Sequence, residues 1–160
     1  MTPLARLAYG LASGIVVADQ ALKALVVYGL RLGEVGSVPL LGPVRLSMVW
    51  NRGVSFGFLN FDTEWSRWLL SVFAAGVAIG VGVWVRRVDR LALGVALGCI
   101  MGGAVGNLID RVRFGAVADF IDFSHLWFPW VFNLADAAIN VGAALLVWDL
   151  FLAPRKTAAA

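Results

Sequence analysis

Four long apolar runs constrain the fold of this chain more than any other feature of its sequence. They cover residues 7–30, 65–85, 91–109 and 132–152. A helix of about 20 residues crosses the ~30 Å hydrocarbon core of a bilayer. Only 14% of the residues are charged, whereas a soluble domain usually has about 25%. The sequence therefore predicts one integral membrane domain over residues 1–160, built as an all-α bundle of four transmembrane helices.

The distribution of basic residues bears on the orientation of the bundle. Four spans place both termini on one side of the membrane, together with the tight turn at residues 86–90, which contains Arg86, Arg87 and Arg90. Cytoplasmic loops are enriched in Lys and Arg, so this density favours a cytoplasmic turn and cytoplasmic termini. Basic residues also occur on the opposite face, mixed with acidic ones, so their number alone leaves the orientation open.

Two segments on that opposite face, predicted to be the outer one, are longer than turns. Within residues 31–64, apolar side chains alternate along the chain from Val44 to Asn51, a pattern typical of a half-buried strand. We expect a small β-sheet there. Residues 111–131 end in an aromatic cluster around Trp130, and tryptophan prefers the membrane–water interface. This second segment is therefore predicted to be a loop or short helix resting at the membrane surface.

Glycines recur every four residues in the third run, at Gly94, Gly98, Gly102 and Gly106. Residues at this spacing form one stripe along a helix. Small residues at such a stripe let the backbone of a neighbouring helix approach closely. The stripe therefore predicts helix packing, and we assign it no chemistry.

Ionisable side chains within or beside a span are costly, which makes each a candidate for function. Asp19 and Lys23 lie four residues apart, on one face of the first helix, and we favour a structural ion pair that orients this helix. Asp110 and Arg111 are adjacent where the third helix ends. For Asp110 we favour a structural network, because so close an arginine would keep the carboxylate ionised.

Two other aspartates have no such partner in sequence. Asp119 lies in an apolar stretch, and Asp136 lies ~6 Å inside the last helix at 1.5 Å per residue. If the segment before this helix folds over the mouth of the bundle, the two carboxyls meet and share one proton. One could then activate water while the other acts as the acid, which suits peptide hydrolysis. Paired aspartates are also typical of a proton or cation path, so residue types alone leave hydrolase and transporter equally open.

Other chemistries have little support in the sequence. The net charge of +3 is spread without a basic stripe or a binding motif, which argues against nucleic acid as a partner. Cys99, the only cysteine, lies inside an apolar run and is interpreted as a small buried hydrophobe. His125 is the only histidine, too few for a histidine-rich zinc site. We expect no metal and no organic cofactor.

Four motifs, in order along the chain, resemble those of the bacterial lipoprotein signal peptidases, the type II signal peptidases. The first two motifs are Asp19-Gln20-x-x-Lys23 and the stretch Asn51, Arg52, Gly53, Val54, Ser55, Phe56. The third runs from Gly102 through Asn107, Asp110 and Arg111 to Asp119, Phe120 and Ile121, and the fourth is Phe132, Asn133, Ala135 and Asp136. Val54 and Ser55 stand where the family often has two alanines, a departure that bears only on substrate fit.

This resemblance implies an aspartic endopeptidase with Asp119 and Asp136 as its catalytic pair. The residues it implies around that pair are Asn51, Gly103, Asn107, Asp110, Arg111 and Asn133, supported by Asp19 and Lys23. It also implies the substrate: a prolipoprotein whose lipobox cysteine bears diacylglycerol and which is cut just before that cysteine. Further expectations are a bacterial inner-membrane location with a periplasmic active site, contact with membrane lipids, a monomeric protein, and sensitivity to the cyclic peptide antibiotic globomycin.

Two other classes of protein remain as alternatives. A small proton-coupled or ion transporter would use Asp19, Lys23 and Asp136 as a relay, and it predicts titratable groups spaced across the membrane. A non-enzymatic assembly subunit would depend on the glycine stripe and would leave Asp119 without a purpose. The gathering of Asp110, Asp119 and Asp136 toward one face of the membrane favours the peptidase.

Overall fold

The computed structural model of this protein describes residues 1–53, 64–126 and 130–152. In chain order its elements are α1 (Pro3–Ala24) with a π-helical turn (Leu25–Gly29), α2 (Leu32–Val35), β1 (Ser37–Leu41), β2 (Val44–Asn51), α3 (Glu64–Val85), α4 (Leu91–Phe114), β3 (Val117–Asp122), β4 (Val131–Phe132), and α5 (Leu134–Val147) with a second π-helical turn (Trp148–Leu152). The helices α1, α3, α4 and α5 are long and apolar enough to cross a membrane. The predicted bundle of four spans is therefore confirmed.

Helix α4 lies at the centre of the bundle. In its most apolar stretch 67% of the residues are buried inside the protein, against 22% in α1 and α5 and 11% in α3. The other three spans each pack against α4. Their outer side chains, such as Leu69, Val72 and Phe73 of α3, remain exposed, as is expected for side chains that face lipid.

Glycines bring the neighbouring helices close to α4, as their spacing predicts. A Cβ atom added at Gly102 would lie 2.9 Å from the carbonyl oxygen of Ala12 in α1. On another side of α4, a Cβ atom at Gly103 would collide with the carbonyl oxygen of Ala135 in α5. Both helices therefore approach α4 at distances that only glycine permits, and this fixes how the ends of α1 and α5 meet.

A four-stranded antiparallel sheet, in the order β1-β2-β3-β4, joins the spans at one end of the bundle. The alternating pattern correctly predicts β2. Its side chains Leu46 and Met48 pack on a buried cluster of Val26, Leu32 and Phe120. This cluster fastens the sheet to the end of α1, so that β3 is held across the end of the bundle.

The segment after α4 differs from its prediction. The helix continues to Phe114 instead of ending near residue 109, and Gly115 then ends it at a φ of 78°, which glycine adopts without strain. The predicted interfacial loop or short helix is wrong for β3, which pairs with β2 and β4. Nearly all of β3 is buried, so it lacks the alternation that marks a half-exposed strand.

The remaining differences at the spans are small. Helix α1 begins at Pro3 rather than near residue 7, and α5 begins at Leu134 because residues 131–132 form β4 and Asn133 caps the helix. Residues 54–56 of the second motif and residues 127–129 of the aromatic cluster lie outside the described residues. At the end of the bundle opposite the sheet, the Arg90 guanidinium lies 2.9 Å from the carboxylate of Asp149, which ties the 86–90 turn to the end of α5.

Candidate active site

Asp136 lies in the first turn of α5, beside the sheet. The side chain of Asn133 caps this helix by accepting a hydrogen bond from the backbone N–H of Asp136 (2.9 Å). The carboxylate of Asp136 in turn accepts from the backbone N–H of Asn133 (3.3 Å). This reciprocal arrangement fixes the side chain of Asp136 at a helix N-terminus, where a negative charge is favoured.

Asp119 lies on β3 and is only 2% exposed. Its two carboxylate oxygens accept hydrogen bonds from the side-chain amides of Asn133 (2.6 Å) and Asn51 (3.0 Å). Asn51 reaches it because Val49 of β2 pairs directly with Asp119, and residues two apart on a strand share one face. The pairing of β2 with β3 therefore delivers Asn51 to the site.

Two asparagines link the aspartates to each other. The amide of Asn133 that donates to Asp119 also donates to Oδ1 of Asn107 (3.2 Å), and Nδ2 of Asn107 donates to Oδ1 of Asp136 (2.7 Å). The orientation of each amide is fixed, because the oxygen of Asn133 accepts from a backbone N–H and that of Asn107 accepts from the ammonium of Lys23. The two carboxyls are thus brought together at one site, as the sequence predicts.

The two carboxyls differ in their environment. Burial, followed by the nearby charge of Asp136, raises the pKa of Asp119 from 3.8 to about 7, although the hydrogen bonds from Asn51 and Asn133 and the charge of Lys23 oppose this shift. Asp119 therefore keeps its proton for much of the time at neutral pH. Asp136, at a helix N-terminus, is placed to carry the negative charge. The two carboxyls of this site therefore lie in unlike environments.

A buried ion cluster lies next to the segments that carry Asp119 and Asp136. The ammonium of Lys23 lies 2.8 Å from the carboxylate of Asp19 and 2.7 Å from that of Asp110, and it donates to Oδ1 of Asn107 at 3.3 Å. These three acceptors match the three donors of an ammonium group. The favoured ion pair of Asp19 with Lys23 is thus present. Asp110 belongs to a structural network at the end of α4, as favoured, and its ion-pair partner there is Lys23.

The cluster reaches the backbone beside each aspartate of the pair. Asp19 accepts a hydrogen bond from the backbone N–H of Ala135 (3.0 Å), next to Asp136. Asp110 accepts one from the backbone N–H of Ala118 (3.1 Å), next to Asp119. Both carboxylates are completely buried. A single lysine therefore joins α1 and α4 to the two segments that carry the candidate catalytic groups.

Arg111 is partly buried near the site, within electrostatic range of Asp136 and Asp119. Nη1 of Arg111 lies 3.5 Å from the carbonyl oxygen of Asn107, so its guanidinium retains donors for another group. Arg67 of α3, which the sequence analysis overlooked, donates to the carbonyl oxygens of Arg111 and Val112 (2.8 Å each). Arg67 thus caps the end of α4, and no sequence motif indicates that role.

Gln20 completes the network by donating hydrogen bonds to the carboxylates of Asp19 (3.2 Å) and Asp110 (2.9 Å). Gly103 contributes no polar group; it lets α5 approach α4 beside Asn107. The structure thus gathers all ten sequence-predicted site residues at one end of the bundle. Within the part of the chain that the structure describes, no group of three or more His, Cys, Asp or Glu side chains could bind a metal ion.

The chain is similar to known proteins along most of its length. Residues 11–152 match the family model described as signal peptidase (SPase) II. A lipoprotein signal peptidase of Caulobacter vibrioides is 55% identical over 91% of this chain and 87% of the relative. One of Rhizorhabdus wittichii is 42% identical over 88% of this chain and 83% of the relative.

Two solved structures share the fold. Both are described as bacterial membrane enzymes determined by the in meso method. They superpose with TM-scores of 0.76 and 0.78 at 23% and 24% identity. The alignments cover 94% and 92% of this chain and 94% of each solved chain.

Proposed function

The chain belongs to the signal peptidase II family, and on that premise we propose that it removes signal peptides from diacylglyceryl-modified prolipoproteins by cutting just before the lipidated cysteine. The observation that carries this proposal is the pairing of Asp119 with Asp136 through Asn133 and Asn107. It supplies an acid and a base at one site, where aspartic peptide hydrolysis needs them.

In the first step, Asp136 accepts a proton from a water molecule while the water oxygen bonds to the scissile carbonyl carbon. Asp119 donates its proton to the carbonyl oxygen, which gives a neutral diol. In the second step, Asp136 returns its proton to the peptide nitrogen and Asp119 recovers one from a hydroxyl group of the diol. The carbon–nitrogen bond then breaks, and the pair regains its starting protonation.

The asparagines and Arg111 have positioning roles in this scheme. Asn51 and Asn133 donate to the carboxyl of Asp119 and so orient it toward the scissile bond. Arg111 retains donors that can bind the peptide backbone or the polar part of the lipid, and a guanidinium provides several at once. Its positive charge also favours a single negative charge on the pair.

Lys23 has the role of setting the geometry of the pair. Through Asp19 and Asp110 it bonds to the backbone beside each catalytic aspartate, and through Asn107 it fixes the amide that donates to Asp136. A shift of this lysine would move both carboxyls. Misplacement of reacting groups by about 1 Å can cost about 100-fold in rate, so the cluster matters for turnover although it does not touch the substrate.

The site lies at the end of the spans, which suits a lipid-modified substrate. Such a substrate keeps its acyl chains in the bilayer and presents the scissile bond near the depth of the lipid head groups. The arginine-rich turn at residues 86–90 lies at the opposite end, so the charge rule puts both termini in the cytoplasm and the site on the periplasmic side of the inner membrane. We expect a monomer, active without a cofactor and inhibited by globomycin.

A proton or ion relay has less support. Between Asp136 and Asp149, α5 contains no Asp, Glu, His, Lys or Arg, and α1 contains none between Arg6 and Asp19. The ammonium of Lys23 is already occupied by three acceptors. A relay across the bundle would therefore lack side chains that can pass a charge onward.

The proposal is tested by incubating the purified chain in detergent with a diacylglyceryl-modified prolipoprotein and with its unlipidated form. We expect mass spectrometry to find a single cut before the lipidated cysteine and little cleavage of the unlipidated form. Equal cleavage of both forms, or a cut elsewhere, would contradict the proposed specificity. Failure to cleave either form would contradict the proposed activity.

A further inference from the structure

Asn140 is a polar residue of the spans that the site leaves unexplained. Its side chain is exposed on α5, and it makes no hydrogen bond within the described residues. The other two side-chain amides of the described spans, those of Gln20 and Asn107, donate to the carboxylates of Asp110 and Asp136. Hydrocarbon offers no partner to an amide, so an unpaired one is costly inside a span and points to function.

The position of Asn140 relates it to the site. It follows Asp136 by four residues, which puts the two on one face of α5 and about 6 Å apart along the helix axis. Ala135 and Gly142, in contrast, face α4. A substrate whose scissile bond lies at Asp136 therefore passes Asn140 one helical turn deeper in the membrane.

The chemistry of a lipidated substrate indicates what lies at that depth. A helical signal peptide has its backbone carbonyls occupied by its own N–H groups. The diacylglyceryl group differs, because its ester carbonyls only accept hydrogen bonds and have no donor of their own. They are joined to the lipidated cysteine by a few single bonds, so they can reach one helical turn from the scissile bond.

We propose that the side-chain amide of Asn140 donates a hydrogen bond to an ester carbonyl of the substrate's diacylglyceryl group. This inference rests on the proposed function, since only a substrate that is cleaved at Asp119 and Asp136 brings its ester groups next to Asn140. This hydrogen bond forms with the bound substrate in its ground state as well as in the transition state. Its loss should therefore raise KM and leave kcat unchanged.

The test compares two synthetic prolipoprotein substrates, one with ester-linked diacylglycerol and one with ether-linked dialkylglycerol, which lacks the carbonyls. KM and kcat are measured for the wild type, for Asn140→Ala, and for Val141→Ala, which truncates a neighbouring exposed side chain. With the ester substrate we expect Asn140→Ala to raise KM about five- to tenfold, as for one lost hydrogen bond, and Val141→Ala to leave it unchanged. With the ether substrate, wild type and Asn140→Ala should share the same raised KM.

An unchanged KM of Asn140→Ala for the ester substrate would overturn the inference. So would an equal rise with both substrates, which would assign Asn140 to the peptide or to a contact with a second copy of the chain. The wild type alone tests the inference as well, because equal KM values for the ester and ether substrates would refute it even if the variant failed to fold. In each of these cases the wild type still cleaves, so the proposed function would stand.

Discussion

Replacing Asp119 by asparagine should stabilise the protein increasingly as the pH rises, although it removes a proposed catalytic group. Burial and then the charge of Asp136 raise the pKa of Asp119 from 3.8 to about 7. Between these two values the carboxyl is ionised in the unfolded chain but still protonated in the folded one. Folding of the wild type therefore becomes less favourable with rising pH up to about 7, whereas asparagine does not titrate.

The size of this effect follows from the shift in the pKa. One pKa unit corresponds to about 1.36 kcal/mol, so the penalty is about 1 kcal/mol near pH 4.5 and about 4 kcal/mol near pH 8. Asp119→Asn should therefore gain about 3 kcal/mol of unfolding free energy over the wild type between these pH values. The substitution also disturbs a hydrogen bond with Asn51 or Asn133, which shifts both measurements equally.

The free energy of unfolding can be followed by the fluorescence of the seven tryptophans in detergent, with wild type and variant measured at both pH values. Asp122→Asn, also on β3, is the matched control. Hydrogen bonds from Ser124 and Ser47 lower the pKa of Asp122, so its carboxylate is largely ionised in both the folded and the unfolded chain at the two pH values. The difference between this variant and the wild type should therefore stay nearly constant between them. A difference between Asp119→Asn and wild type that is constant or shrinks with pH would refute the reasoning.

Three further predictions concern packing, the ion cluster and the pH profile. Gly103→Ala should lower the free energy of unfolding by about 1–3 kcal/mol through overpacking, whereas Gly76→Ala, with no atom within 4 Å of the added Cβ, should not; equal losses in a denaturation assay would contradict the close approach of α5. Lys23→Met leaves two buried carboxylates uncompensated and should cost about 3–5 kcal/mol of unfolding free energy, while Arg31→Met removes only an exposed pair and should cost little; a loss no larger for Lys23→Met would speak against the buried cluster. Because the pKa of Asp119 is about 7, kcat/KM should fall as the pH rises above about 7 and the acid loses its proton; a kcat/KM that rises through pH 8 would assign the acid to another group.

The spans and β2 could be predicted from the sequence because each depends on a local pattern. An apolar run of sufficient length has few alternatives to crossing a bilayer, and alternation predicts the strand β2, whose Leu46 and Met48 pack on the buried cluster. β3 could not be predicted in this way, because nearly all of it is buried and its residues show no alternation. Its partner β2 is distant in sequence and its partner β4 has only two residues, so no local sequence feature predicts the sheet.

The candidate site shows the same division between local and long-range information. The pairing of Asp19 with Lys23 follows from helical spacing, whereas the bond of Lys23 to Asp110 depends on how α1 packs on α4. Arg111 is adjacent to Asp110 in sequence, but the ion-pair partner of Asp110 is Lys23, because neighbouring helical residues point about 100° apart. The resemblance to the family pointed to Asp119 and Asp136, but only the fold reveals that Asn133 and Asn107 join them.

The central claim is that Asp119 and Asp136 together cleave the substrate, and one measurement tests it most directly. Cleavage of a diacylglyceryl-modified prolipoprotein is followed for the purified wild type, Asp119→Asn, Asp136→Asn and Asp122→Asn, each shown to be folded by its tryptophan fluorescence. We predict that Asp122→Asn cleaves at nearly the wild-type rate and that both other variants are inactive. Near-normal turnover by folded Asp119→Asn or folded Asp136→Asn would contradict the account.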